Sequence, residues 1–268
     1  MTAASRATTP SAWSDWWAGT RAIRLWWALA WKDIIDRYRR SMLGPLWLTL
    51  SLAMLLGGMG PLYATLFNVP IVTFFPHLAL GIIFWTFIST TLNESCTTFV
   101  AATSFLKSSP FPLSMFIWKT LARNLIALGH HIFVFLPVAI WAKIPFSTSQ
   151  LMAVPGLLLV LICLHAMALA LAIICTRFRD LPQIVQSTLQ LLVFVTPVMW
   201  LPESLPARAS ALLRYNPFNH MLDVVRAPLL GKTVPAYSWI GLAVWTIACV
   251  VIAAILFARS RRRLIYWL

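Results

Sequence analysis

Six apolar runs, each close to the length of a bilayer crossing, organise this chain. Residues 46–67 carry no charged side chain, and further runs cover 76–98, about 124–142, 151–175, 182–201 and 238–258. About 20 apolar residues in a helix cross the hydrocarbon of a bilayer, so each run predicts a membrane-spanning helix. Pro, charged or polar residues bound each run. The fifth is the least apolar, because Gln183, Gln186, Gln190 and Thr196 lie within it. The three glutamines follow i, i+3, i+7 spacing, which puts them on one helix face as a polar stripe.

The segments between the runs carry a second pattern. Residues 1–20, rich in Ser, Thr, Ala and Trp, are expected to be loosely ordered. In residues 21–40, Ile23, Trp26, Trp27, Ala30 and Ile34 recur at helical spacing with charges on the other face. That is the pattern of an amphipathic helix lying in the membrane interface. Residues 202–235 are too long for a turn and too broken for a span. Asn216 and Pro217 suit the start of a helix, as N-cap and first-turn residue. Two short helices are expected here, about 207–214 and 217–230. One reading has them dip into the outer face as a gate; the other rests them on the outer leaflet. The predicted fold class is therefore an all-α integral membrane protein with six transmembrane helices, an N-terminal interfacial helix, and short re-entrant or interfacial helices between helices five and six. Residues 1–45 form the N-terminal segment, 46–258 the membrane domain, and 259–268 a basic tail.

Composition sharpens the assignment. Of the 268 residues 60% are hydrophobic and only 10% charged, against about 25% charged in soluble domains. The net charge of +14 would point to nucleic acid in a soluble protein. Here the basic residues sit in blocks between apolar runs, so they read as orientation signals in a membrane and not as a nucleic-acid surface. Five of the 21 Lys and Arg (Lys143, Arg208, Arg214, Arg226, Lys232) fall on one side of the predicted topology and the rest on the other. The excess of positive charge places both termini in the cytoplasm. No cleavable signal sequence is visible.

Motifs of enzymatic chemistry are missing or misplaced. Gly231-Lys232-Thr233 resembles the end of a phosphate-binding loop, but Arg226 stands where that loop needs glycine. His130 and His131 are neighbours, about 100° apart on a helix, and cannot chelate one metal as an i, i+4 pair does. No metal or cofactor is expected. Cys96, Cys163, Cys175 and Cys249 show no metal or redox spacing and read as small packing residues. Asn93 and Glu94 lie near the inner end of the second run, where a carboxylate is costly but less so than at mid-bilayer. A structural hydrogen bond and a part in the pathway or in coupling are both open for Glu94.

Several segments carry a family resemblance. The stretch from Arg37 to Trp47, RYRRSMLGPLW, resembles the start of ABC-2 type permeases that export polysaccharide. Thr176 to Gln183, TRFRDLPQ, is similar to the loop before their fifth span. Thr196 to Trp200, Asn216 to Phe218 and Val225 to Leu229 are similar to the region of their outer gate. The best fit is the O-antigen and lipopolysaccharide branch. The resemblance implies a transport subunit of a bacterial inner membrane that pairs with a second copy. Two separate ATPase subunits would bind ATP and Mg, and the cargo would be a glycan carried on polyprenyl pyrophosphate. It also implies that Lys107, Ser108, Ser109, Pro110 and Phe111 belong to a coupling segment docking into the ATPase, and that the outer gate includes Asn216, Pro217, Phe218 and Arg226.

Cytoplasmic loops this short leave no room for an ATPase, so energy must come from a partner or transport must be passive. Along the pathway, Tyr63, Phe67, Trp85, Phe194 and Trp200 are candidate aromatic surfaces for sugar, with Gln183, Gln186 and Gln190 as polar contacts. Arg39 and Arg40 sit where a pyrophosphate headgroup would enter; guanidinium groups suit phosphate, although anchoring to the inner leaflet accounts for them too. The alternatives are an ABC-2 exporter of capsule, teichoic acid or a small drug or lipid, and a membrane-embedded enzyme acting on lipid-linked sugars.

Overall fold

A computed structural model describes residues 11–39, 41–108, 111–145, 147–204, 206 and 212–268. Among these, ten α-helices account for most of the chain and no strand occurs. They are α1 (Ala12–Arg21), α2 (Ile23–Tyr38), α3 (Leu46–Leu66), α4 (Ile71–Ala101), α5 (Thr103–Ser108), α6 (Leu113–Trp141), α7 (Ala153–Arg177), α8 (Leu181–Val195), α9 (Pro217–Leu229) and α10 (Ala236–Trp267). Arg40, Ser109, Pro110 and most of the expected helix at 207–214 lie outside the described residues.

Among the described residues, five segments are long and apolar enough to cross a membrane: α3, α4 with α5, α6, α7 with the 3-10 turn before it, and α10. The fifth predicted span is shorter than its apolar run. Helix α8 has 15 residues, about 22 Å at 1.5 Å per residue, against a hydrocarbon layer of about 30 Å. The cause is local. Thr196 precedes Pro197, and a residue before proline is pushed out of the α region; Thr196 is extended, with φ −94° and ψ 138°. The apolar run continues to Leu201, but the helix does not.

The N-terminus also departs from expectation. Residues 12–21 are helical, not loosely ordered. Ser11 caps the helix by accepting from the Ser14 N–H, and α1 packs on α6. Ala22, at φ −75° and ψ 38°, separates α1 from α2. Helix α2 lies along α6, with Trp26 stacked 5.9 Å from Trp118 and Ala30 and Ile34 buried. The Trp118 indole N–H donates to Thr20 Oγ1 at 3.0 Å. Ile23 and Trp27 remain exposed.

Helix α4 is the centre of the bundle. It contacts α3, α6, α7, α8 and α9, and 72% of its most apolar stretch is buried, against 17% for α3. Helix α10 packs chiefly on α7. Two apolar cores result: a large one around α4 and α9, built on Phe74, Ile83, Ile88, Met221 and Val224, and a smaller one joining Phe99, Ile117, Ile173 and Phe257. The smaller core lies at the end of the bundle that also holds α1, α2 and the C-terminus, called the terminal end below.

Glycine sets two of the closest approaches. A Cβ on Gly81 would lie 2.3 Å from the Val198 carbonyl oxygen, and one on Gly156 would lie 2.4 Å from that of Val224. These contacts seat the chain after α8 on α4, and α9 on α7. Gly81→Val should cost about 1–3 kcal/mol by overpacking, read as a lower melting temperature of the purified protein. Gly129→Ala, mid-helix where a Cβ meets nothing within 4 Å, should not lower it and should raise it slightly.

Candidate functional site

Helix α8 presents the main candidate surface. Among the described residues it packs chiefly on α4 and, more lightly, on α7; of its own residues only Leu189 is buried. Gln183, Gln186 and Gln190 are all exposed, as is Phe194. At the start of α8 a cavity of about 700 Å³ opens between α8 and α4, lined by Asn93, Thr97, Arg179, Asp180, Gln183 and Gln186 among others. Pockets that hold ligands run to about 300–1,000 Å³. The structure thus brings Asn93 together with two of the three glutamines. It also brings in Arg179, whose Nη2 donates to the Trp267 carbonyl at 3.1 Å. The sequence places Arg179 in the loop before the fifth span without a role in a cavity; its position two residues before α8 is the available signal.

Glu94, next to Asn93, is the hub of a charge network. Its carboxylate accepts from Arg37 Nη2 at 3.3 Å, Arg123 Nη2 at 2.7 Å and Asn124 Nδ2 at 2.7 Å. Arg123 reaches on to Asp33 at 2.9 Å, which also pairs with Lys119 at 2.8 Å. The network ties α2 to α4 and α6. Arg39 is exposed at the end of α2.

The opposite end of the bundle is organised by Arg226. Its helix, α9, starts as the sequence indicates: the Asn216 side chain accepts from the N–H groups of Phe218 and Asn219, and Pro217 occupies the first turn. Asn216 Nδ2 also donates to Thr196 Oγ1 at 3.0 Å. Arg226 is 3% exposed, so its charge must be answered inside the protein. Nη1 donates to the Pro197 carbonyl at 2.6 Å and lies 3.1 Å from His77 Nε2; Nη2 faces Asp223 at 3.4 Å. Burial pulls the guanidinium pKa down and Asp223 acts in the opposite sense. Asp223 accepts in turn from Asn219 and Ser238. His77 Nε2 also lies 3.1 Å from the Trp200 carbonyl. One nitrogen donates to that carbonyl or accepts from Arg226, not both at once.

The remaining candidates are spread over the bundle. Trp85 is buried edge-on against Phe218, with ring centroids 5.8 Å apart, so both pack the core beneath α9. Tyr63 lies 5.7 Å from Phe67, whose ring approaches Phe74, away from the glutamine cavity. Trp200 turns its indole N–H to the Phe194 carbonyl at 3.0 Å. Lys107 and Ser108 are exposed at the end of α5, while Phe111 is half-buried against the smaller core. The sequence carries a local trace of Arg226's partners, because Asn219, Asp223 and Arg226 stand at i, i+4 and i+7 spacing. His77 left no such signal.

Arg226→Met would leave Asp223 without its cation and the Pro197 carbonyl without its donor. Breaking a buried ion pair by removing one partner costs about 3–5 kcal/mol. The variant should melt well below wild type, whereas Arg39→Gln, which removes an exposed charge, should not.

Two O-antigen export system permease proteins RfbA from Klebsiella pneumoniae are similar to this chain. One is 24% identical over 220 residues, covering 80% of this chain and 83% of the relative. The other is 23% identical over 196 residues, covering 71% and 74%. The sequence profile of the ABC-2 type transporter family matches residues 24–230, from α2 to the end of α9. The chain therefore belongs to the ABC-2 type transporter family, as a multi-pass membrane transport subunit.

Proposed function

We propose that this chain is the permease subunit of an exporter that moves a polysaccharide, an O-antigen-type glycan carried on polyprenyl pyrophosphate, across the bacterial inner membrane. Two copies form the pathway between them, and two separate ATPase subunits drive it from the cytoplasm. The observation that carries this reading is the exposed glutamine stripe of α8 above the Asn93–Gln186 cavity. A polar stripe on an uncovered membrane helix asks for a water-lined path or a partner. Amide groups suit the hydroxyls of a sugar chain, and exposed Phe194 continues the same face with an apolar surface.

Six crossings with both termini in the cytoplasm complete the proposal. Asp15 of α1 and Arg261 of α10 pair at 2.8 Å, which supports an even number of crossings between them. Helix α8 supplies the sixth. It starts beside Thr97, and the chain after it reaches His77. Those two positions lie 20 residues apart along α4, about 30 Å at 1.5 Å per residue, which matches the hydrocarbon thickness.

The test is reconstitution in lipid vesicles with its partner ATPase subunit. Lipid-linked glycan should stimulate ATP hydrolysis and appear on the far side. Replacing Gln183, Gln186 and Gln190 together by Leu should cut export at least tenfold while insertion and assembly stay intact. Undiminished export by that triple variant would remove the support for the stripe as the glycan path.

A further inference from the structure

One carboxylate gathers three distant parts of the chain at the terminal end. Asp15 of α1 is 2% exposed. Its Oδ1 accepts from the Ser114 N–H and hydroxyl, both at 3.2 Å, and its Oδ2 from the Leu113 N–H at 3.3 Å. Oδ2 also accepts from Arg261 Nε at 2.9 Å and Nη2 at 2.8 Å. Leu113 and Ser114 open α6, just after the 107–111 segment that the family resemblance makes the ATPase docking site. Arg261 lies on the last turns of α10. The approach is backbone-close: a Cβ on Gly19 would lie 2.1 Å from Ser114 Oγ.

A buried carboxylate–guanidinium pair is a poor way to gain stability, because desolvation offsets the attraction. What it does enforce is a fixed position. Here it fixes the exit of the docking segment to the far end of a single helix. Helix α10 runs unbroken for 32 residues, about 48 Å. At its other end Ser238 donates to Asp223, the partner of Arg226, at 3.1 Å. Gly241 there lets the helix press on the ring of His220; a Cβ would lie 2.4 Å from Nε2. Both residues it meets belong to α9.

We infer that Asp15 is a positioning residue: it clamps the docking segment to α10, and α10 transmits displacement of that segment to α9 at the opposite end of the bundle. The inference rests on the reading of the chain as an ATPase-driven permease. It adds a specific mechanical link, Asp15–Arg261–α10–Ser238–Asp223, that runs beside α8 and not through it. A continuous, packed α-helix is stiff along its length, so bonds at its two ends let a shift at one end act on what is bonded at the other.

The experiment uses the full complex in vesicles and reads glycan exported per ATP hydrolysed, with insertion and melting temperature in parallel. Arg261→Gln opens the near end without touching the bonds to Leu113 and Ser114. Ser238→Ala opens the far end. Each should lower the export-to-hydrolysis ratio roughly tenfold, the size of an ordinary coupling between sites, with ATP hydrolysis continuing. Arg261→Lys, which keeps a charged donor, should recover most of the ratio. An unchanged ratio in Arg261→Gln and Ser238→Ala, with only the melting temperature lowered, would reduce the clasp to scaffolding and overturn the inference. Should Arg261→Gln not assemble, the ratio in Ser238→Ala decides by the same criterion. A wild-type complex that neither hydrolyses ATP nor exports glycan would instead overturn the functional reading itself.

Discussion

In a medium without water, a helix that stops short must hand its free carbonyl groups to donors from elsewhere in the protein. Helix α8 stops at Val195, and the carbonyls around its end are taken up one by one. Trp200 bonds to Phe194, Arg226 to Pro197, and the Trp200 carbonyl faces His77. Arg226 matters most, because it brings a buried charge that then requires Asp223, and Asp223 fixes Asn219 and Ser238. The position of α9 inside the bundle, the seat of the chain on Gly81, and the junction with α10 all follow from that one break before Pro197.

The two ends of the bundle are held by different physics. At the terminal end, Asp15, Asp33 and Glu94 each collect two or more cationic or N–H donors, tying α1, α2, α4, α6 and α10. Most of these charges are partly exposed and would be weak singly; as a connected set they fix helix positions. At the opposite end the Arg226–Asp223 pair is largely buried, so each of its bonds decides whether that site holds together. Between them lie apolar helices with little freedom to deform, since packed interiors shift as units.

Much of this architecture can be read from the chain. Hydropathy marks five of the long helices to within several residues at most ends, and Asn216-Pro217 marks the start of α9. The length of α8 was misjudged because apolar content continues past Thr196, while the backbone obeys proline and not hydropathy. The order in residues 12–21 was invisible, since it depends on Asp15 meeting Leu113, Ser114 and Arg261, partners about a hundred or more residues away. Long-range pairings of this kind leave no periodic trace. The glutamine stripe was legible because helical spacing is local; the cavity beneath it was not, because Arg179 and Asn93 come from separate segments.

An uncovered, partly polar α8 is the feature on which the transport account turns. If the stripe lines a water-filled path, spin labels at positions 183, 186 and 190 in lipid vesicles should be quenched by a water-soluble nickel reagent, and labels at Leu191 and Val195, exposed and outside the cavity, by oxygen dissolved in the lipid. Equal oxygen quenching at all five positions, with no access from water, would place the whole helix against lipid and contradict the account.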